Sequence, residues 1–142
     1  MRPLFPVIYW DASAVLSFLT MDEYHETAKE FYEQGGVHLL SSLSYTEVFA
    51  VLARLKRQGL LNDGQFDRTC RFLNAHPWRF ATINPEREEI RRLAVRWPLR
   101  GADLWHLSFA LALKREFPEL ILLTFDQKLR TAAEGEDLIG VH

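Results

Sequence analysis

Short strand-like segments alternate with longer helix-like segments along the whole of this 142-residue chain. Residues 7–10, VIYW, are β-branched or aromatic, and the ASAVLSFL that follows has apolar residues at helical spacing. Strands that alternate with helices across short connections predict a parallel sheet that helices cover on both faces. The predicted fold class is therefore α/β, a three-layer α/β/α sandwich with a central, mostly parallel sheet.

Glycine and proline bound several of the predicted helices. Gly35 and Gly36 end one helix, Gly59 ends another, and Pro98 stops a third. We predict helices over residues 12–19, 23–34, 43–58, 63–74, 85–97, 102–117 and 127–133. We predict strands over residues 7–10, 37–42, 79–83 and 120–125, with a last strand at 138–141. No repeat or linker separates these elements, so we expect one domain over residues 1–142.

The composition is that of a globular protein, with 48% hydrophobic and 25% charged residues. A formal charge of -2 argues against a protein that coats nucleic acid through overall positive charge. Cys70 is the single cysteine, which excludes an intramolecular disulfide and a cysteine-based zinc site. No apolar run reaches membrane-spanning length. These features predict a protein without membrane contact in a reducing, cytoplasmic setting.

Four acidic residues stand at the ends of predicted strands or near the starts of predicted helices. Asp11 and Asp126 directly follow strands, whereas Glu47 and Asp103 lie near the starts of their helices. Each has an ordinary structural explanation, because acidic residues cap helices and favour their first turn. Ser44 with Glu47 also fits the S-x-x-E pattern of a capping box. Taken one at a time, these acids are more often structural than catalytic.

Taken together, the four carboxylates predict a metal site. In a parallel sheet, the carboxyl ends of the strands and the starts of the following helices share one edge, where ligands bind. Clustered carboxylates repel one another, and a divalent cation removes that repulsion. Oxygen ligands without cysteine or a histidine pair suit Mg²⁺ or Mn²⁺. Because such ions activate water for attack on phosphorus, a phosphodiester is the expected substrate.

The segments that contain these acids resemble the signature segments of PIN-domain ribonucleases, especially the toxins of VapBC-type toxin–antitoxin pairs. The four segments are VIYWDASAVLSFL, LSYTEVFAVLARL, RGADLWHLSFALAL and LLTFDQKL, in the expected order over almost the whole chain. The resemblance implies an α/β/α sandwich with Mg²⁺- or Mn²⁺-dependent endoribonuclease activity on RNA. It also implies inhibition by a small VapB-like antitoxin protein that occupies the acidic groove. We expect in addition that the protein is a homodimer.

The resemblance also assigns roles to individual residues. The implied catalytic and metal-binding acids are Asp11, Glu47, Asp103 and Asp126. Ser13 and Thr124 match hydroxyl positions that often accompany the site, although helix capping and strand propensity explain them as well. Gln127 and Lys128 stand where many relatives carry a further acid, so we expect one firmly held ion.

Histidine and arginine side chains near these acids have both a functional and a structural interpretation. His106 lies three residues after Asp103 on the same helix face and could bind metal or assist the leaving group. A packed, hydrogen-bonded histidine is the commoner case. Five arginines could hold RNA phosphates, or form a solvated helix face with Glu88–Arg92 and Glu89–Arg92 pairs. The expected RNA contacts are Arg87, Arg91 and Arg100, and Arg92 and Arg96 complete the cluster.

Functions from two different classes remain open. The first is a metal-dependent endoribonuclease, with Asp103 or Asp126 as the carboxylate that helps water attack phosphorus. The second is a catalytically silent PIN-like module that binds RNA or protein without cutting. The presence of all four acids favours the enzyme. A receiver domain also gathers acids at strand ends, but this chain lacks adjacent acidic residues after its first strand.

Overall fold

The computed structural model describes residues 6–139, in which seven helices surround a four-stranded sheet. The strands are β1 (Val7–Trp10), β2 (Val37–Leu40), β3 (Arg79–Phe80) and β4 (Ile121–Leu123). The helices are α1 (Ala12–Leu19), α2 (His25–Glu33), α3 (Ser42–Arg57), α4 (Asp63–Ala75), α5 (Arg87–Arg96), α6 (Gly101–Glu116) and α7 (Gln127–Gly135). The predicted alternation is confirmed, and each predicted helix boundary lies within two residues of the observed one.

The sheet is parallel throughout the described residues, with the strand order β3-β2-β1-β4. Ile8 in β1 lies opposite His38 in β2 and Ile121 in β4. The chain therefore builds outwards from β1 to β3 and then returns to place β4 on the other side of β1. The strand order reverses between β1 and β4, and ligands of open α/β sheets bind outside the carboxyl ends of such strands.

Side chains of β1 alternate between two hydrophobic layers. Tyr9 packs into a cluster that includes Leu93 of α5 and Leu107 of α6. Ile8 and Trp10 point to the opposite face, into a cluster built with the apolar residues of α1, α2, α3 and α4. All four residues of β1 are buried, as expected for a central strand with helices on both faces. The predicted three-layer sandwich is confirmed.

The two longest helices, α3 and α6, have 16 residues each and flank the sheet on opposite faces. In α6 a continuous run of residues 106–110 is buried, which agrees with its apolar sequence. No helix among residues 6–139 combines the length and the apolar character needed to cross a membrane.

Four of the predicted strands differ from the structure, and only β1 has its predicted bounds. Strand β2 ends at Leu40 rather than at residue 42, because Ser41 caps α3, and β4 spans residues 121–123 of the predicted 120–125. Strand β3 ends at Phe80 rather than at residue 83, although the Ala81 amide still donates a hydrogen bond to the Leu40 carbonyl at 3.0 Å. Both residues of β3 are exposed at the sheet edge, where no further strand pairs with them in the described chain. Residues 138–139 do not form a strand, although the Leu138 carbonyl accepts a hydrogen bond from the Leu122 amide. The rest of the predicted last strand, residues 140–141, lies outside the described residues.

The end of α7 is packed tightly against α5. A Cβ atom at Gly135 would lie 2.3 Å from two ring carbons of Trp97. The Trp97 indole donates a hydrogen bond to Glu136 at 3.0 Å, and Arg92 and Arg96 bind the same carboxylate at 2.7 and 2.6 Å. These contacts leave no space for a side chain at position 135.

We therefore predict that Gly135→Ala lowers the free energy of unfolding by about 1–3 kcal/mol, the usual effect of overpacking. The matched control is Gly64→Ala in α4, where the nearest atoms to the added Cβ would lie at an ordinary 3.5 Å. That control should raise stability by about 0.4–1 kcal/mol, because alanine restricts the unfolded chain. Urea unfolding of the three proteins measures both effects, and equal stability of Gly135→Ala and wild type would contradict the packing described.

Candidate active site

Asp11 lies at the carboxyl end of β1 and is also the N-cap residue of α1. Its Oδ1 atom accepts hydrogen bonds from the Ser13 hydroxyl at 2.7 Å and the Ala14 amide at 2.9 Å. Its Oδ2 atom accepts a hydrogen bond from the Thr124 hydroxyl at 2.5 Å. The side chain is only 3% exposed, and burial raises the pKa of the carboxyl although the hydrogen bonds oppose this shift. Asp11 is thus a buried acid held through both oxygens.

The two predicted hydroxyls connect Asp11 to the loop that follows β4. The Ser13 hydroxyl accepts a hydrogen bond from the Phe125 amide at 3.0 Å, and the Thr124 hydroxyl accepts one from the Asp126 amide at 3.1 Å. Ser13 and Thr124 therefore each donate to the Asp11 carboxylate while they hold the backbone beside Asp126. Through these contacts the acid after β1 and the acid after β4 lie at one edge of the sheet.

Helix capping and membership of the acidic site coincide at two positions. Asp126 is the N-cap residue of α7, and its Oδ1 atom accepts a hydrogen bond from the Leu129 amide at 2.9 Å. Asp11 caps α1 in the same way. In Asp126 the Oδ2 atom has no hydrogen-bond partner among residues 6–139. A capping role therefore leaves one oxygen of Asp126 available for other contacts.

The capping box predicted at Ser44 and Glu47 is wrong. Helix α3 begins at Ser42, and Ser41 is its N-cap residue, with a hydroxyl that accepts a hydrogen bond from the Ser44 amide at 3.0 Å. The Ser44 hydroxyl instead donates to the Trp10 carbonyl at 2.9 Å. Glu47 is consequently not part of a cap, and its carboxylate turns towards α6.

Asp103 lies in the first turn of α6, whose N-cap residue Arg100 makes no side-chain capping bond. The side chain is half-buried, and its carboxylate has no hydrogen-bond donor or ion-pair partner within the described residues. Burial raises the pKa of Asp103, and the negative charges of Asp126, Asp11 and, more weakly, Glu47 raise it further. The other three predicted acids therefore each act on Asp103 through their charge.

Sequence reasoning missed the side chains that hold Glu47. His106 Nε2 lies 2.5 Å from Glu47 Oε1, and His106 Nδ1 lies 2.6 Å from the Tyr9 hydroxyl. The histidine is 1% exposed, so its structural interpretation as a packed, hydrogen-bonded residue is confirmed. Its partner is nevertheless a candidate acid. The available signal was the strand period, because Tyr9 lies two residues before Asp11 and alternate residues of a strand face the same side.

The donor set fits a hard divalent cation, since every candidate ligand is a carboxylate or hydroxyl oxygen. The repulsion that raises the pKa of Asp103 is the kind of electrostatic strain that a bound cation relieves. Within residues 6–139, no three histidine, cysteine, aspartate or glutamate side chains are grouped closely enough to hold a metal ion as they stand. The case for a divalent cation consequently rests on the oxygen ligands and on the negative charges that act on Asp103.

The predicted arginine cluster divides into two sets. Arg92 and Arg96 bind Glu136, and Arg92 also binds Glu89, whereas the predicted pair between Glu88 and Arg92 is not formed. Three arginines are exposed and have no ion pair with any described residue, and these are Arg87, Arg91 and Arg100. The three residues predicted to contact RNA are therefore the ones whose guanidinium groups remain available.

An open groove lies between the N-terminal turns of α3 and α6. It encloses about 610 Å³ and is lined by Ser42, Leu43, Thr46, Gly101, Ala102 and Trp105. Thr46 precedes Glu47 and Ala102 precedes Asp103 in the chain. None of the four candidate acids lines the groove, although two of its residues are neighbours of Glu47 and Asp103 in the sequence.

Residues 8–135 match the PIN domain family. The chain belongs to this family. Its relatives include Ribonuclease VapC45 of Mycobacterium tuberculosis strain CDC 1551 / Oshkosh and Ribonuclease VapC49 of strain ATCC 25618 / H37Rv. Each is 32% identical over 136 residues, which cover 92% of this chain and 91% of the relative. The resemblance inferred from the four acidic segments is confirmed.

Solved structures share the fold of this PIN domain. Crystal structures of PAE2754 from Pyrobaculum aerophilum and of VapC20 from M. tuberculosis, described as a Sarcin-Ricin loop cleaving toxin, superpose with TM-scores of 0.61 and 0.56. The first is 21% identical and covers 92% of this chain and 81% of its own. The second is 17% identical and covers 88% of this chain and 94% of its own. At these identities the likeness concerns the fold.

The electrostatics of this PIN domain predict an unusual effect of Asp103→Asn in EDTA. Because the folded state raises the pKa of Asp103, the protonated form stabilises the protein below the usual carboxyl pKa of 3.8, and this stabilisation is lost as pH rises through the raised pKa. The neutral variant should therefore melt higher than wild type at neutral pH, with a smaller difference near pH 3.8. Thermal melts at both pH values measure the difference in melting temperature between the variant and wild type.

The matched control is Asp67→Asn, which removes an exposed acid of α4 that does not contribute to the raised pKa of Asp103. It should leave the melting temperature nearly unchanged. If Asp103 acted only on the dipole of α6, its replacement would instead lower stability by about 0.3–1 kcal/mol. A lower melting temperature of Asp103→Asn in EDTA at neutral pH would therefore remove Asp103 from the acidic cluster.

Proposed function

We propose that this PIN domain is a Mg²⁺- or Mn²⁺-dependent endoribonuclease that hydrolyses RNA phosphodiester bonds, and that it is the toxin of a toxin–antitoxin pair. The observation that carries the proposal is that Ser13 and Thr124 link the Asp11 carboxylate to the backbone of residues 125 and 126, at the sheet edge where the strand order reverses. The names of its relatives, both called ribonucleases, support the same activity. We treat residues 1–142 as one functional domain.

Asp11, Glu47, Asp103 and Asp126 would hold the cation through carboxylate oxygens. A divalent cation supplies a water of lowered pKa and offsets charge on the phosphate. Asp11 is fixed by hydroxyl and amide donors, so its orientation is set before any ligand arrives. The free Oδ2 of Asp126 and the unpaired carboxylate of Asp103 are the flexible members of the set.

Asp103 is the stronger candidate for the general base. Its carboxylate accepts no hydrogen bond from residues 6–139, so an oxygen that does not contact the cation is free to accept a proton. Asp126 also has a free oxygen, but its other oxygen accepts the hydrogen bond that caps α7. In this proposal Asp103 would take the proton of the attacking water, and the hydrogen bonds that Ser13 and Thr124 donate hold the Asp11 carboxylate in place.

Substrate binding would use the free arginines. Arg100 lies three residues before Asp103, and Arg87 and Arg91 lie on α5, which packs beside α6. Guanidinium groups that form no internal ion pair can bind phosphates without first breaking a contact. The arginines Arg92 and Arg96 are engaged by Glu136 and are not expected to contribute.

A small VapB-like antitoxin protein is the proposed inhibitor. A basic segment of such a protein would be complementary to the four carboxylates and would pass along the groove between α3 and α6. The homodimer and the cytoplasmic location both stay predictions. Inhibition of RNA cleavage by the product of a small adjacent reading frame would support this partner.

Purified protein should cleave RNA when Mg²⁺ or Mn²⁺ is added and stop in EDTA. Asp11→Asn should reduce the cleavage rate by about 100-fold or more, because a ligand charge is lost from the site. Asparagine keeps the capping bond to Ala14 and avoids the burial of a charge, so the variant should fold. Gel analysis of RNA fragments over time measures the rate.

Asp67→Asn serves again as the matched control and should cleave like wild type, since its position in α4 is exposed. Cleavage that continues undiminished in EDTA and in Asp11→Asn would reject the metal-dependent mechanism. RNA binding without cleavage by the wild type would favour the silent binding module instead.

A further inference from the structure

A chain of buried polar groups runs from the core of the sheet to Glu47. It begins at the Tyr9 hydroxyl, which lies 2.6 Å from His106 Nδ1, and it ends where His106 Nε2 lies 2.5 Å from Glu47 Oε1. Tyr9 is fully buried and His106 is 1% exposed, whereas the Glu47 side chain is 32% exposed. These hydrogen-bonded side chains thus connect the protein interior at Tyr9 to Glu47, a candidate metal ligand at the surface.

The surrounding hydrogen bonds determine where the protons lie. The Ser44 hydroxyl donates to the Trp10 carbonyl, and the Ser41 hydroxyl lies 2.7 Å from the Tyr9 oxygen. If Ser41 donates to Tyr9, the Tyr9 proton is available for His106 Nδ1. The His106 Nε2 atom then carries the ring proton and donates a hydrogen bond to Glu47. In this arrangement each hydroxyl of the chain donates once, and no buried proton lacks an acceptor.

The environment of Tyr9 supports a hydrogen bond that the Tyr9 hydroxyl donates to His106. Tyr9 is fully buried, and an ordinary tyrosine hydroxyl carries its proton at neutral pH. Tyr9 therefore keeps its proton and acts as a donor. A neutral ring nitrogen is the acceptor that this donor requires, because a doubly protonated imidazole has no lone pair.

We propose that Tyr9 and His106 are positioning residues, which fix Glu47 so that Oε1 is occupied by His106 and Oε2 is presented to the divalent cation. The inference rests on the proposed function, since it gives the hydrogen-bonded chain a purpose at the metal site. In the described part of the chain, Oε2 of Glu47 has no hydrogen-bond partner. Glu47 would then bind through a single oxygen whose orientation is set from the protein interior.

The placement of polar groups in this core also argues for positioning. Apolar side chains of similar volume could fill the space between β1 and α6 without the desolvation of three polar groups. Tyr9 already packs its ring against Phe109 at a centroid distance of 4.9 Å, so packing alone needs only a phenyl ring. The Tyr9 hydroxyl is hydrogen-bonded to His106, and His106 is hydrogen-bonded to Glu47. Hydrogen-bonded partners of metal ligands typically change metal affinity 10–100-fold when they are replaced.

The first test measures Mn²⁺ affinity by titration calorimetry of the intact protein. His106→Leu removes the donor to Glu47 and should weaken Mn²⁺ binding about 10–100-fold. His106→Gln keeps an amide donor at the position of Nε2 and should recover part of that loss. Tyr9→Phe deletes only the hydroxyl and should weaken binding about threefold to tenfold, because His106 can then adopt either tautomer.

His38→Gln is the matched control for the loss of a buried histidine. His38 is 6% exposed, and its Nδ1 atom accepts a hydrogen bond from the Trp10 indole on the opposite face of the sheet. This variant should be destabilised yet bind Mn²⁺ within about twofold of wild type. If His106→Leu also bound within twofold, His106 would be a packing residue and the inference would be overturned. A wild type that binds no Mn²⁺ would instead overturn the proposed metal-dependent function.

The second test needs no metal and uses a variant only to assign the signals. Nitrogen-15 NMR of histidine-labelled wild type in EDTA distinguishes protonated from unprotonated ring nitrogens. We expect a His106 signal pair with Nε2 protonated and Nδ1 unprotonated at neutral pH. A proton on Nδ1, whether alone or together with one on Nε2, would reverse the bond to Tyr9 and contradict the proposed direction. The signals are assigned by their loss in His106→Gln.

Discussion

The hydrogen bonds to the Asp11 carboxylate fix the relative positions of the elements on which the candidate site depends. Asp11 ends the central strand β1, caps α1 through Oδ1 and binds Thr124 after β4 through Oδ2. The Asp11 amide also donates to the Leu123 carbonyl at 3.2 Å, which extends the pairing of β1 with β4. One residue therefore sets the spacing of two strands and a helix at the point where the strand order reverses.

Electrostatic repulsion opposes this arrangement. Burial raises the pKa values of Asp11 and Asp103, and neighbouring acids raise that of Asp103 further. Two hydroxyl donors and a backbone amide donate hydrogen bonds to the Asp11 carboxylate and offset its unfavourable charge. The Glu47 carboxylate is hydrogen-bonded to His106. Asp103 receives no such donor from the described residues. The repulsion left at Asp103 is the physical reason to expect that a cation binds there.

The fold was largely predictable because strand and helix periods differ and because each acid lies next to a clear boundary. Asp11 and Asp126 directly follow strands, so parallel topology alone was enough to bring them together. The capping box at Ser44 was a wrong prediction because Ser41 can also act as an N-cap residue, and the sequence pattern alone does not decide which serine caps the helix.

Contacts between distant positions could not be predicted. Glu47 and His106 are 59 residues apart, and their bond depends on how α3 and α6 sit on opposite sides of β1. The same limit applies to the arginines, since the partner that distinguishes Arg92 from Arg91 is Glu136, 44 residues further along. Such contacts arise from tertiary packing, which a single sequence does not encode in its local pattern.

The most direct test of the account is the position of Mn²⁺ in anomalous difference maps from crystals of the wild-type protein. We predict one strong peak at the edge of the sheet, within coordination distance of Asp11 and Asp103 and facing Oε2 of Glu47. Asp11→Asn crystals grown in the same way should show a weaker peak or none. Manganese bound elsewhere on the protein, with these carboxylates free of metal, would contradict the central claim that the four acids form a metal-dependent active site.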